Sequence, residues 1–184
     1  KRIDEAEKGV YPEWALRLIN SAIQYIPDNK YLISKTIKLY LITGNGKQAL
    51  LYLDRHFNHF LQDAVELRSV AELLFTKGFY AQSLTFYSQV QKLKPDDITV
   101  QSSIVLCLWK GGQQQKALSM TTEMLGKNKS NTSYLSEGVN LLFSLGQYEK
   151  AASWLTLLRE RLPSDPKVQK LSGMQAERDG NLPA

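Results

Sequence analysis

Five glycines stand 34 residues apart: Gly44, Gly78, Gly112, Gly146 and Gly180. A fixed period of this length means that one supersecondary unit is repeated. Each copy has an apolar face that it cannot bury alone and that a neighbour must cover. The clearest copy is Gly146-Gln147-Tyr148-Glu149-Lys150-Ala151-Ala152, with Pro163 closing the helix that follows. Five residues after each of the first four glycines comes a small side chain (Ala49, Ser83, Ala117, Ala151). Seven residues before stand Ile37, Ala71, Val105 and Val139. These two sets oppose each other where paired helices approach closely. The pattern predicts an all-α chain of antiparallel helix hairpins, with a turn glycine between the helices of each pair.

Taken in order, residues 1-29 read as the second half of a truncated repeat. Lys1 to Val10 reads as a helix end, and Tyr11 to Ile26 as an amphipathic helix with Ala15, Leu16, Ile19, Ala22, Ile23 and Ile26 on one face. Pro27 stops it, and Asp28-Asn29 can cap its successor. Repeats are expected over 30-63, 64-97, 98-131 and 132-165, with 166-184 a truncated repeat or capping helix, all in one domain. The first repeat turns through Thr43-Gly44-Asn45-Gly46, read as two glycines free to take positive φ. It has Leu61 where others have proline, so its second helix is expected to run longer. Lys129 replaces the proline in the third repeat, where Asn128 to Asn131 form a polar loop. Both ends fall inside a repeat, which reads as a fragment of a larger protein or an array continued by a neighbour.

The 34-residue register, the aromatic two after the glycine (Tyr80, Tyr148) and the proline seventeen after it (Pro95, Pro163) resemble the tetratricopeptide repeat (TPR) family. The resemblance covers nearly the whole chain. Its departures are Gly46 and Gln114 in place of the aromatic, Leu61 and Lys129 in place of proline, and Val10 and Pro12 at the start. It implies a right-handed superhelical solenoid of about five repeats, with the first helix of each hairpin lining a concave face.

That implied groove is where a partner is expected. Three residues before the glycines stand Leu41, Phe75, Trp109 and Phe143; six before, Lys38, Glu72, Leu106 and Asn140; ten before, Ser34, Arg68, Ser102 and Ser136; thirteen before, Tyr31 leads a set continued by Val65, Thr99 and Ser133. Large apolar groups on one rung supply anchors at low entropic cost. Chaperone-binding TPR domains hold a C-terminal carboxylate with Lys and Asn one turn apart. The corresponding pairs here (Ser34/Lys38, Arg68/Glu72, Ser102/Leu106, Ser136/Asn140) do not reproduce that clamp. Glu72 would also pair with Arg68 at i,i+4. The groove reads as suited to an extended or helical peptide with an apolar stripe.

Nothing in the sequence assembles an active site. His56 and His59, three apart on one helix, lack a carboxylate cluster at ligand spacing and read as packing groups. Cys107 lies in the apolar run from Ile104 to Trp109 and reads as a buried small hydrophobe; as the single cysteine, it excludes an internal disulfide. No strand and Gly-Lys-Ser/Thr surround the paired glycines, so they form no phosphate loop. Asn128-Lys129-Ser130 and Asn131-Thr132-Ser133 match the glycosylation sequon, a pattern common by chance. The net charge of +5 is scattered, which gives no nucleic-acid footprint. No apolar run reaches the roughly 18–20 residues that span a bilayer. No catalytic residue, cofactor or metal is expected, and no small-molecule substrate.

The reading is a non-catalytic scaffold that binds a peptide or partner domain. The resemblance leaves open two alternatives: a structural spacer in a bacterial envelope or exopolysaccharide secretion assembly, and a regulatory module for an attached signalling domain. Self-association through open ends, and a cytoplasmic or periplasmic location, stay open as well.

Overall fold

In a computed structural model, which describes residues 12–127 and 131–180, the first helix of every hairpin starts at an Asx residue in strict register. Asn29, Asp63, Asp97, Asn131 and Asp165 each accept a backbone N–H two or three residues on, at 2.8–3.1 Å. Each satisfies a donor that the first helical turn leaves open. At the other end the turn glycine takes over. Gly44, Gly78, Gly112, Gly146 and Gly180 have φ of 79°, 82°, 83°, 68° and 71°. In the first four, the glycine N–H bonds the carbonyl three residues back and the next N–H the carbonyl five back, as in Asn45 to Tyr40 at 2.8 Å and Gln147 to Leu142 at 2.8 Å. This Schellman closure needs a left-handed residue, where a Cβ costs about 1–2 kcal/mol.

Between these fixed ends lie ten α-helices and one 3₁₀ turn among the described residues, and no strand. The chain divides into two compact units at Asp96/Asp97. The first holds α1 (Pro12–Tyr25), α2 (Lys30–Ile42), α3 (Gly46–His56), the 3₁₀ turn Phe57–Phe60, α4 (Ala64–Thr76) and α5 (Tyr80–Leu93). The second holds α6 (Ile98–Lys110), α7 (Gln114–Lys127), α8 (Thr132–Ser144), α9 (Tyr148–Arg161) and α10 (Pro166–Arg178). In the first unit α1 packs on α2, α2 on α3 and α4 on α5; in the second, each helix packs on the one that follows it. First helices also touch each other: α2 with α4 in one unit, and α6 with α8 and α8 with α10 in the other.

The core follows the small-residue positions. Ala49, Ser83, Ala117 and Ala151, and their counterparts Ile37, Ala71, Val105 and Val139, are all 0% exposed. Ser83 replaces alanine without leaving a buried hydroxyl unpaired, because its Oγ donates to the Ala71 carbonyl at 2.8 Å. In the second unit Leu125, Leu135, Leu142, Leu155, Leu158, Val168 and Leu171 form one cluster. In the first, Ala15, Leu16 and Ile19 of α1 cover Leu32 and Leu39 of α2.

Three expectations are corrected, and others fall outside the described residues. Gly46 does not share the left-handed turn; it is the first residue of α3. Its missing side chain is filled by Phe79, whose Cζ would lie 2.4 Å from an added Cβ. The second helix of the first repeat is shorter, not longer: α3 has 11 residues, against 14 in α1, α5, α7 and α9. The following 3₁₀ turn buries Phe60 to 1% exposure, and the Leu61 carbonyl accepts the Gln89 side-chain amide at 3.0 Å. Ile26 lies beyond the end of α1 and is 49% exposed, so the helical stripe stops before it. The expectations for Lys1 to Val10, for Tyr11, for Asn128, Lys129 and Ser130 of the polar loop and sequon, and for 181-184 of the last partial repeat lie outside the described residues.

Gly138 supplies a test of the packing. It is buried in α8, and an added Cβ would sit 2.5 Å from Cδ2 and 2.7 Å from Cγ of Leu125. Gly138→Ala gains about 1 kcal/mol of helix propensity but meets about 1–3 kcal/mol of overpacking. Urea titration is expected to show Gly138→Ala destabilising the native chain and stabilising the Leu125→Ala background, where the methyl enters the vacated space.

Candidate partner-binding face

The first helices carry the groove positions, and their side chains divide by burial. On α2, Tyr31 is 47% exposed, with the Lys35 ammonium 5.6 Å from its ring centroid. Ser34 and Leu41 are buried and Lys38 is half-buried. On α4, Arg68 and Phe75 are half-buried and Glu72 is exposed. Phe75 meets Tyr80 edge to face at 5.3 Å. On α6, Ser102 is buried and returns its hydroxyl to the Ile98 carbonyl at 2.9 Å, while Leu106 and Trp109 are half-buried. On α8, Ser136 and Phe143 are buried and Asn140 is exposed.

The aromatic rung is therefore not uniform. Leu41 (1% exposed) and Phe143 (6%) belong to the core, whereas Phe75 and Trp109 retain partly open surfaces. Phe143 also leans on Tyr148, with centroids 6.4 Å apart. The Arg178 guanidinium covers the same Tyr148 ring at 4.4 Å.

Ser34 and Lys38, one turn apart on α2, do hold a carboxylate, and it is the chain's own. Glu66 reaches from α4 so that its Oε1 accepts the Ser34 hydroxyl and lies 2.7 Å from Lys38 Nζ. Both charged side chains are less than a third exposed, so the pair is only partly screened. Sequence reasoning passed over Glu66 because it sits twelve residues before its glycine, off the rungs taken to line the groove. Its placement in the first turn of the next first helix, after Ser34 and Lys38 on the one before, is the signal that could have found it.

The two histidines join an aromatic ladder. Tyr40 meets Tyr52 at 6.0 Å, Tyr52 meets His56 at 4.9 Å, and His56 meets His59 at 5.6 Å. His59 Nε2 lies 4.0 Å from Asp28 Oδ1. Among the described residues no group of three or more His, Cys, Asp and Glu could hold a metal ion. Cys107 is buried. No described helix is long and apolar enough to cross a membrane.

No family model matches the sequence, and no curated protein matches it. Solved structures do. The chain is similar to the MamA RS-1 ArsTM double mutant, at 14% identity and a TM-score of 0.61, over 95% of this chain and 93% of that one. It is similar to MamA 41-end from Desulfovibrio magneticus RS-1, at 14% identity and a TM-score of 0.59, over 89% and 93%. YrrB, a TPR protein with an unusual peptide-binding site, aligns at 15% identity with a TM-score of 0.47, over 89% and 84%. The two MamA likenesses show the fold: an all-α arrangement of tetratricopeptide-like hairpins.

Burial holds the His56 imidazole below its usual range, with His59 and Arg55 adding to the effect and Asp28 opposing it. The unfolded chain, with an ordinary imidazole at about 6.5, then binds the proton more tightly than the folded one. The contribution of neutral His56 to stability is complete above that value. It is lost as pH falls from there through the lowered folded pKa. Urea midpoints measured from pH 8 to 5 are expected to decline on acidification, and His56→Gln is expected to flatten that decline.

Proposed function

We propose that the chain is a non-catalytic scaffold that binds a protein or peptide through the exposed face of its first helices. Residues 30-63, 64-97, 98-131 and 132-165 act as its repeats, flanked by partial repeats at 1-29 and 166-184. The observation that carries this reading is the surplus apolar surface on α6. That helix already buries Val100, Ile104, Val105, Cys107 and Leu108 in the fold, yet leaves Leu106 and Trp109 only partly buried. Its neighbour α8 adds the exposed Asn140 at the rung of Leu106. Partly open apolar groups on one first helix and an exposed amide at the equivalent position of the next suit a peptide that places one large side chain against Trp109 and presents its backbone to Asn140. On α4, the half-buried Arg68 and exposed Glu72 offer the polar side of the same kind of surface. Ser34 and Lys38 are engaged with Glu66, which argues against a free-carboxylate clamp on α2.

The test is selection of a displayed 12-residue random peptide library on the purified chain, followed by fluorescence anisotropy. Enriched peptides are expected to bind in the micromolar range, about −8 kcal/mol. Leu106→Arg with Asn140→Arg is expected to weaken that binding at least tenfold while the far-UV circular dichroism melt stays in place. Affinity unchanged by this pair of substitutions would refute the reading.

A further inference from the structure

The shortened helix α3 leaves a cavity that no repeat position predicts. It opens between α3 and α5, with a volume of about 460 Å³, within the roughly 300–1,000 Å³ of small-ligand and side-chain pockets. Its origin is visible in two ties. At one end Phe79 packs onto Gly46 and draws the start of α3 against the turn before α5. At the other, Gln89 of α5 holds the Leu61 carbonyl after the 3₁₀ turn. Between them α3 stops at His56, three residues short of its counterparts, and the walls stand apart.

The lining has two characters. The floor is apolar: Leu53 and Phe86 are buried, and Phe57 stands edge to face on Phe86 at 5.0 Å and 73°. The rim is Asp54, Asn58, Gln82 and Thr85. No lysine or arginine lines the cavity, although the chain as a whole carries a net charge of +5. Asp54 supplies the only formal charge. Asn58 and Gln82 each bring an amide, whose oxygen accepts and whose NH2 donates. Thr85 spends its hydroxyl proton on the Ala81 carbonyl at 3.2 Å, which leaves its oxygen as an acceptor. An apolar floor under a rim with one carboxylate, no cation, and amide and hydroxyl oxygens able to accept matches a side chain with a long methylene stem and a donor-rich cationic head. Aromatic rings at the base add a favourable surface for such a cation. Arginine fits this description best, since its planar guanidinium carries five donors and no acceptor.

We infer that the α3–α5 cavity is a second docking pocket, for an arginine side chain presented by a protein partner. Its stem lies on Leu53, Phe57 and Phe86, and its guanidinium pairs with Asp54. A residue flanking the arginine occupies the remaining volume. The pocket is built from second helices and the 3₁₀ turn, so it is separate from the first-helix face proposed above and stands or falls independently of it.

The test is a ¹H–¹⁵N correlation titration of the whole chain with three capped dipeptides: N-acetyl-Phe-Arg-amide, its neutral citrulline isostere and N-acetyl-Phe-Glu-amide. The arginine peptide is expected to shift the amides of Phe57, Asn58, Gln82 and Phe86 saturably, at millimolar concentration. The citrulline peptide is expected to bind at least fivefold more weakly, and the glutamate peptide not at all. Asp54→Asn, at an exposed position, is expected to leave the melting curve in place and to weaken the arginine peptide at least fivefold. Gln82→Lys, which puts a cation on the rim, is expected to abolish it. Absence of saturable shifts, equal affinity for the arginine and citrulline peptides, unchanged affinity in Asp54→Asn, or shifts confined to first-helix residues would each overturn the proposal.

Discussion

The contact on which each hairpin depends is the one between its two helices at the small residue after the turn. Ala49, Ser83, Ala117 and Ala151 have no exposed surface, and neither do the residues they face. A larger side chain there would force the helices apart and open the layer of leucines and valines that the approach creates. The turn glycines serve the same contact. Their positive φ lets the chain reverse within two residues, and the Schellman bonds hold the second helix at the angle that brings the small residue inward. The Asx caps then restart the pattern 34 residues later. The period in the sequence is the spacing of these three devices.

Where one copy lacks a template residue, a neighbour supplies the missing volume or bond. Gly46 has no aromatic ring, and Phe79 from the next repeat occupies the space. Gly138 has no side chain, and Leu125 fills the site. The first repeat has no closing proline, and Phe60 and Gln89 secure the end of the 3₁₀ turn instead. Nearest-neighbour coupling of this kind is expected of an array whose units cannot stand alone. It also generates surface features that the template does not specify, as the α3–α5 cavity and the Ser34–Glu66–Lys38 link show.

The helix order, the turns and the core were legible because they rest on local signals in register: glycine, small residue and apolar spacing. The three-residue shortening of α3 was not, because its causes are tertiary. An absent proline reads as permission to continue a helix, and only the packing of Phe57 against Phe86 and the burial of Phe60 show that the chain turns instead. The candidate face was legible as a set of rungs but not as a surface. Periodicity places Leu41 and Trp109 on equivalent positions, yet the first is buried and the second half-open. That difference arises from the helices packed around each residue. Likewise the role of Glu66 depends on a contact between α2 and α4, which no single helix encodes.

A helix-hairpin array of this design separates the surface that maintains the fold from the surface left exposed. The central claim is that stability rests on the small-residue contact, and it is tested by paired substitutions one residue apart in α9. Ala151 is fully buried against the facing helix, whereas Ala152 is half-exposed. Equilibrium urea unfolding should show Ala151→Leu losing about 1–3 kcal/mol or more. Ala152→Leu should stay within about 0.5 kcal/mol of the parent, as surface substitutions do. Equal losses at the two positions, or a neutral Ala151→Leu, would contradict the account.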